Sequence, residues 1–293
     1  MDGRCRGGFY HFPMFMLSAF SDEISPDPRE QLAVLRRCGI RFIEFRSIHK
    51  TNVMKLSETQ LAEFQSLIRD HGVGLSAIGS PVGKVTIDLP FEPHFDVFKR
   101  ACELAHRFGT PHIRIFSYYP PADTRFEGDW RPYRDEVIRR MRLKTEYAAK
   151  EKLTLFHENE HNIYGDSPER VHDLLSTINH PSLRAAYDCA NFVFGGYDPV
   201  EGWEKSKAYT THLHIKDWKA GEAEHQGRLA GHGDGQMLHS IQACVASKYH
   251  GFAVMEPHLR GGGPTGGVTG ADLFPVAVEA FRSLLRAAGG VEG

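Results

Sequence analysis

Short apolar runs rich in β-branched and aromatic residues alternate along the chain with longer segments whose apolar positions recur every three or four residues. The short runs predict strands over residues 17–22, 41–46, 74–79, 112–117, 153–158, 184–188, 210–216 and 252–256. The longer segments predict helices over 27–38, 57–71, 93–108, 132–151, 167–178, 199–208, 236–249 and 271–288. Punctuation supports these helices. Leu32, Leu35 and Cys38 share a face and Gly39 follows as a stop, while Ser57 can cap a helix whose buried stripe is Leu61, Phe64, Leu67 and Ile68. In "DSPER" (166–170), Ser167 is placed to N-cap and Pro168 to occupy the first turn.

Eight βα units in succession, with no Pro-, Ser- or Gly-rich linker dividing them, predict a single (β/α)8 TIM barrel. A doubly wound sheet is the rival, but it needs a phosphate-binding glycine fingerprint after the first strand, and "SAFSDEIS" (18–25) has none. Residues 1–16 read as an N-terminal extension and 17–293 as the catalytic barrel. The extension carries arginines and then an apolar stretch, as a signal peptide does. It lacks a small-residue cleavage site, however, and runs directly into the first strand, so Met14 or Met16 is an alternative start.

Composition narrows the function. With 41% apolar and 25% charged residues the chain reads as globular. A net charge of −2, from 35 basic and 37 acidic residues, provides no field to attract nucleic acid. No apolar run reaches the length of a membrane span. The five cysteines are odd in number, dispersed and without a CxxC pair, which predicts a reducing, cytoplasmic setting and neither a disulfide framework nor a zinc–thiolate site.

In a barrel of this kind chemistry sits at the C-terminal ends of the strands. Strand five ends "LTLFHE" at Glu158, strand six "AAYD" at Asp188, strand seven carries His212 and His214 in "THLHIKD", and strand eight ends "AVMEPH" at Glu256. One such group is an ordinary solvated strand end. Four in succession would bury like charges against one another unless a cation compensates. Three carboxylates and one imidazole suit Mn²⁺ best, with Mg²⁺ or Co²⁺ as alternatives and Zn²⁺ less favoured.

These segments, "LFHEN" with "YGDSPER" (155–170), "AAYDCANF" (185–192), "HLHIKD" (212–217), "GHGDG" (231–235) and "MEPHL" (255–259), resemble the xylose-isomerase-like barrel superfamily of sugar phosphate isomerases and epimerases. Upstream, "IEFR" (43–46), "SPVGKV" (80–85) and "IRIFS" (113–117) fit as well, so the resemblance spans nearly the whole chain. It implies Glu158, Asp188, His214 and Glu256 as metal ligands. It also implies that Glu158 and Glu256 face opposite sides of a bound ketose, one taking the proton and the other returning it. One position departs from the pattern: ketose epimerases and the endonuclease IV branch usually have Asp-x-x-His after strand six, and here that position is Asn191. Asn191 can still bond a substrate hydroxyl but cannot complete a multi-zinc cluster.

Other rim residues have two readings each. Lys216 shares a face with His214 and either holds a substrate or enolate oxygen or pairs with Asp217 or Asp188. Arg46 and Arg114 bind hydroxyls or a phosphate, or pair with rim carboxylates, among them Glu44. Lys84 and His161 are substrate-binding candidates, whereas His49 and His258 read as incidental and Glu160 as a group that either supports the site from behind or is solvated. The glycines around His232 would let backbone approach a ligand, and the loop 260–270 is either a phosphate cradle or a solvated segment. The expected function is a divalent-metal-dependent isomerase or epimerase of a sugar or sugar-like keto-polyol, acting through an enediolate. A lyase or dehydratase acting on a keto-sugar, inosose or 3-keto-glycoside is the alternative. The partner is a small carbohydrate, and self-association is common among such barrels. An abasic-site endonuclease is disfavoured by Asn191 and the neutral charge.

Overall fold

A computed structural model describes residues 14–122, 128–221, 227–262 and 266–293. Among them, eight parallel strands close into a barrel: β1 (Met14–Ala19), β2 (Phe42–Phe45), β3 (Gly74–Ile78), β4 (His112–Ile115), β5 (Thr154–Glu158), β6 (Leu183–Asp188), β7 (Thr210–Ile215) and β8 (His250–Met255). Closure is complete over six residue pairs, from Met14 beside His250 to Ala19 beside Met255. The surrounding helices are α1 (Pro28–Arg37), α2 (Glu58–Asp70), α3 (Phe91–Phe108), α4 (Arg134–Lys150), α5 (Pro168–Ile178), α6 (Pro199–Ser206), α7 (Met237–Ala246) and α8 (Phe274–Ala287). The eight expected βα units are therefore present in order. The first strand begins at Met14, so the barrel includes the last three residues of the segment read as an extension; residues 1–13 and Cys5 lie outside the described residues.

The expected caps form. Ser57 and Gln60 make a reciprocal capping box at α2, and Ser167 accepts from the Arg170 amide at the start of α5, where Pro168 occupies the first position. Local signals did not reveal a hairpin of Ser47–Ile48 with Thr51–Asn52, nor a short helix over Cys189–Phe194 that begins as soon as β6 ends. That helix is capped by the Asp188 side chain, which accepts from the Asn191 amide.

Alternation along the strands turns Phe156 into the barrel with Glu158. There Phe156 stacks on His112 and lies against His212, while Phe42 and Phe252 meet edge to face. This aromatic layer plugs the barrel beneath its polar end. His157, of opposite parity, faces the helix layer as expected: it is buried, bonds the Ser117 hydroxyl at 2.9 Å, and burial together with nearby Lys144 pushes it down to about 3.

Lys144 of α4 is fully buried, its ammonium 4.5 Å from the centre of the Tyr118 ring and without a hydrogen-bond partner among the described residues. Burial, assisted by Arg140, pushes it down from 10.5 to about 7. The folded state thus holds fewer protons than the unfolded chain between those values, so this group's contribution to stability rises as pH rises from about 7 to 10.5 and is constant below that range. Lys144→Met, which keeps the bulk and deletes the charge, is expected to raise stability near pH 7 by about 1–3 kcal/mol. Thermal melts at pH 7 and 9.5 check this: the advantage of the variant should shrink at the higher pH, and a pH-independent difference would contradict it.

Candidate metal centre and active site

The C-terminal ends of β5, β6, β7 and β8 bring Glu158, Asp188, His214 and Glu256 together. All four are buried, and one ligand atom from each lies within 4.8 Å of the others. His214 is the histidine of "HLH" that joins this set. Its Nδ1 is 3.2 Å from Glu158 Oε1 and 3.5 Å from Glu256 Oε2, while its Nε2 faces Glu44 at 3.4 Å. His212 lies one layer below and bonds the same Glu44 at 2.7 Å. Glu44 thus stands behind His214, bonded to His212 and facing the ring nitrogen turned away from the other three groups. Its arginine partner is more distant, with Arg114 Nε at 3.6 Å.

Cations flank each carboxylate. Arg46 bridges Glu256 at 2.8 Å and Asp22 at 2.9 Å, Arg114 holds Glu158 at 3.0 Å, and the Lys216 ammonium is 2.7 Å from Asp188. Burial alone would raise Glu158, but His214 and Arg114 outweigh it and hold the carboxyl at about 2. Glu256 is likewise held far below its ordinary range, where Lys216, His258 and His214 overcome burial. Asp188 is pushed up to about 6, because burial and the two neighbouring glutamates exceed the pull of Lys216. His214 moves well above its ordinary value, as Glu158 and Glu44 overcome its burial.

The donor set fits a divalent cation. Asp188 Oδ2, Glu256 Oε2 and His214 Nδ1 are buried and make no well-directed hydrogen bond, although the first has Lys216 close by off axis. Two carboxylates and one imidazole with unbonded atoms, and the Glu158 carboxylate beside them, provide the donors that a hard or borderline metal ion requires.

The centre opens into a cavity of about 600 Å³. Arg46, Lys84, Arg114, His161, Asn191 and Lys216, the expected substrate-binding residues, all line it. Asn191 donates to the Asn159 carbonyl at 2.8 Å and to Glu158 at 3.3 Å, so part of its amide is committed to the ligand. His258 also reaches the cavity, with Nε2 3.3 Å from Glu256 and 3.2 Å from Glu23. His49 does not; it borders a separate surface groove between α1 and α2.

Sequence reasoning missed three features. Glu160 lines the cavity, paired with Lys84 at 2.7 Å. Phe194 and Trp218 form an aromatic wall, 5.5 Å apart edge to face, with His161 against Phe194. Third, the "GHGDG" glycines have a partner within the protein: the amides of Gly231, Gly233 and Gly235 wrap the buried Asp217 carboxylate at 2.9–3.0 Å. A Cβ on Gly233 would collide with Asp217, so glycine is required there, and His232 is left exposed. The wrapped carboxylate fixes the turn that presents Trp218. In the 260–270 loop, Gly262 and Gly266 border the cavity, Thr269 is tied to Glu23 at 2.6 Å, and residues 263–265 lie outside the described residues.

The model of the xylose isomerase-like TIM barrel family matches residues 32–284, and the chain belongs to that family. Among curated proteins it is similar to 3-dehydroshikimate dehydratase of Bacillus anthracis, at 24% identity over 189 residues, which are 64% of this chain and 65% of that protein. The match thus spans just under two thirds of the relative. Among solved structures, a xylose isomerase-like TIM barrel protein from Mycobacterium smegmatis in complex with magnesium superposes with a TM-score of 0.70 at 18% identity, covering 94% of this chain and 97% of that one. D-Psicose 3-epimerase with D-tagatose, from Clostridium cellulolyticum H10, superposes equally well, with a TM-score of 0.70 at 14% identity over 94% of this chain and all of that one. No helix among the described residues is long and apolar enough to cross a membrane.

If Glu44 orients His214, Glu44→Gln should weaken Mn²⁺ binding roughly 10- to 100-fold, with the protein still folded. Calorimetric titration of purified wild type and variant measures this; equal affinities would assign Glu44 to packing alone.

Proposed function

We propose that this protein is a divalent-metal-dependent enzyme that moves a proton next to the carbonyl of a sugar or sugar-like keto-polyol, and that it works as an isomerase or epimerase. The observation that carries this reading is the buried quartet of Glu158, Asp188, His214 and Glu256, open on one side to a cavity lined with polar groups. Its ion would polarise the substrate carbonyl and an adjacent hydroxyl and so ease enediolate formation. Mn²⁺ is the preferred ion on the donor set. Mg²⁺ is supported by the magnesium complex of a relative, and Co²⁺ and Zn²⁺ are the further alternatives.

The chain's own residues then divide the work. Glu158 and Glu256 come from β5 and β8, on different sides of the barrel mouth, and Arg114 and Arg46 hold them ionised, in the form that accepts a proton. One removes the proton beside the carbonyl and the other returns one on the opposite face. Lys216, buried beside Asp188, faces the cavity where negative charge develops on the carbonyl oxygen and stabilises it. Arg46, Arg114, Asn191, Lys84 and His161 hold the hydroxyls, and Phe194 with Trp218 covers the apolar C–H face of the sugar.

A second reading, dehydration, is favoured by the similarity to 3-dehydroshikimate dehydratase. The same proton abstraction would then be followed by departure of a β-hydroxyl as water, the protein returning a proton to that leaving oxygen in place of carbon.

A screen of keto-sugars, inososes, 3-keto-glycosides and 3-dehydroshikimate in D₂O with added Mn²⁺, read by NMR, separates the two readings. Deuterium uptake at one carbon with exchange of configuration identifies an epimerase or isomerase, and an alkene product identifies the dehydratase. Glu158→Gln should lower turnover at least 100-fold; full activity in that variant would overturn the site.

A further inference from the structure

We propose that Lys84 and Glu160 form a clamp for two adjacent hydroxyl groups of an uncharged substrate. This deepens the proposed function and rests on it. The pair bridges the loop after β3 and the loop after β5, with Lys84 Nζ 2.7 Å from Glu160 Oε2. Its side chains are 32% and 22% exposed, against 7% and 0% for Lys216 and Asp188, so the clamp stands in the cavity wall and not in the buried metal centre.

Lys84 is held in place. Gly83 adopts a left-handed φ of +99° and lies so close to the Phe116 backbone that a Cβ would collide with it. On either side, the Phe116 amide bonds the Val82 carbonyl at 2.7 Å and the Tyr119 amide bonds the Val85 carbonyl at 2.9 Å. The ammonium then rests 4.3 Å above the Phe116 ring. Glu160 is fixed by Lys84 on one oxygen and by the His161 amide, at 3.1 Å, on the other.

Stability does not account for this order, because a half-exposed ion pair contributes at most about 1 kcal/mol. Recognition does. The ammonium has three protons and spends one on Glu160, and each carboxylate oxygen has accepted one bond and retains a lone pair. One hydroxyl can accept from Lys84 while its neighbour donates to Glu160, as a vicinal diol allows. The charge arrangement selects an uncharged ligand. Among the described residues each cavity-lining arginine or lysine already faces a carboxylate: Arg46 with Glu256, Arg114 with Glu158, Lys216 with Asp188 and Lys84 with Glu160. A substrate phosphate would bring negative charge beside these four carboxylates, whereas a hydroxyl brings none.

The test uses the Mn²⁺-loaded enzyme and the keto-polyol found active in the screen. Glu160→Gln and Lys84→Met are expected to raise KM about 10- to 100-fold while kcat stays within a few-fold, the signature of lost ground-state binding. Mn²⁺ affinity and the thermal midpoint should not change. One monodeoxy analogue should lose the same factor with wild type and little more with Glu160→Gln, because substrate and protein then lack the two halves of one contact. Unchanged KM in both variants, a fall in kcat alone, or full additivity with every monodeoxy analogue overturns the clamp and leaves the metal-dependent reaction standing. Preference for the phosphate ester over the free polyol overturns the uncharged-substrate part. A wild type inert toward every keto-polyol overturns the functional reading and the clamp with it.

Discussion

Three carboxylates brought together at one end of a barrel, all buried, are the constraint around which the rest of this molecule is arranged. Left alone they would repel and would forfeit hydration worth several kcal/mol each. Each is therefore given a cation of its own, Arg114 for Glu158, Arg46 for Glu256 and Lys216 for Asp188. Even so, Asp188 is driven up to about 6, and His214 is drawn toward its charged form. Neighbouring carboxylates contribute to both shifts, and a cluster so built is one that could hold a divalent cation.

The scaffold is organised to keep that cluster rigid. The aromatic layer of Phe156, His112, Phe42 and Phe252 closes the barrel below it, so the polar groups rest on a packed floor and not on water. Between floor and ligands lies Glu44, which receives His212 at 2.7 Å and stands behind His214. At the rim a different carboxylate, Asp217, gathers three glycine amides and so shapes the loop that presents Trp218. Buried acids thus stand in three settings: in the cluster that could hold a cation, behind its histidine, and at the nucleus of a turn. What separates them is the donor each one faces.

Much of this was legible in the chain. The change between strand and helix periodicity marks eight βα units, and a barrel has no alternative place for its strand ends, so Glu158, Asp188, His214 and Glu256 could be located before any contact was known. What local pattern could not convey depends on partners distant in sequence. Glu160 follows Glu158 by two residues, and only the fold of the loop after β3 puts Lys84 against it. The glycines near His232 signal close backbone approach, which is what occurs, and the group approached is Asp217. Lys144 sits in a helix where the sequence offers no sign that its end is enclosed by Tyr118. The hairpin at Ser47–Asn52 is too short for a periodic signature, and the helix at Cys189 depends on a cap from Asp188, the last residue of the strand before it.

The double duty of Asp188 ties the fold to the chemistry. Its Oδ1 accepts from the Asn191 amide and starts the short helix, while its Oδ2 is turned toward Lys216 and the ligand set. The helix therefore sets the angle at which the carboxylate meets a cation, and it also places Asn191, whose amide reaches Glu158 at 3.3 Å. The Asp188 and Glu158 carboxylates, from adjacent strands, are linked in this way through Asn191. A histidine at position 191 would offer a ring nitrogen suited to a second metal ion. Asparagine instead offers an amide proton to a carboxylate that Arg114 already holds. The departure at Asn191 thus places an amide, and not an imidazole, beside Glu158.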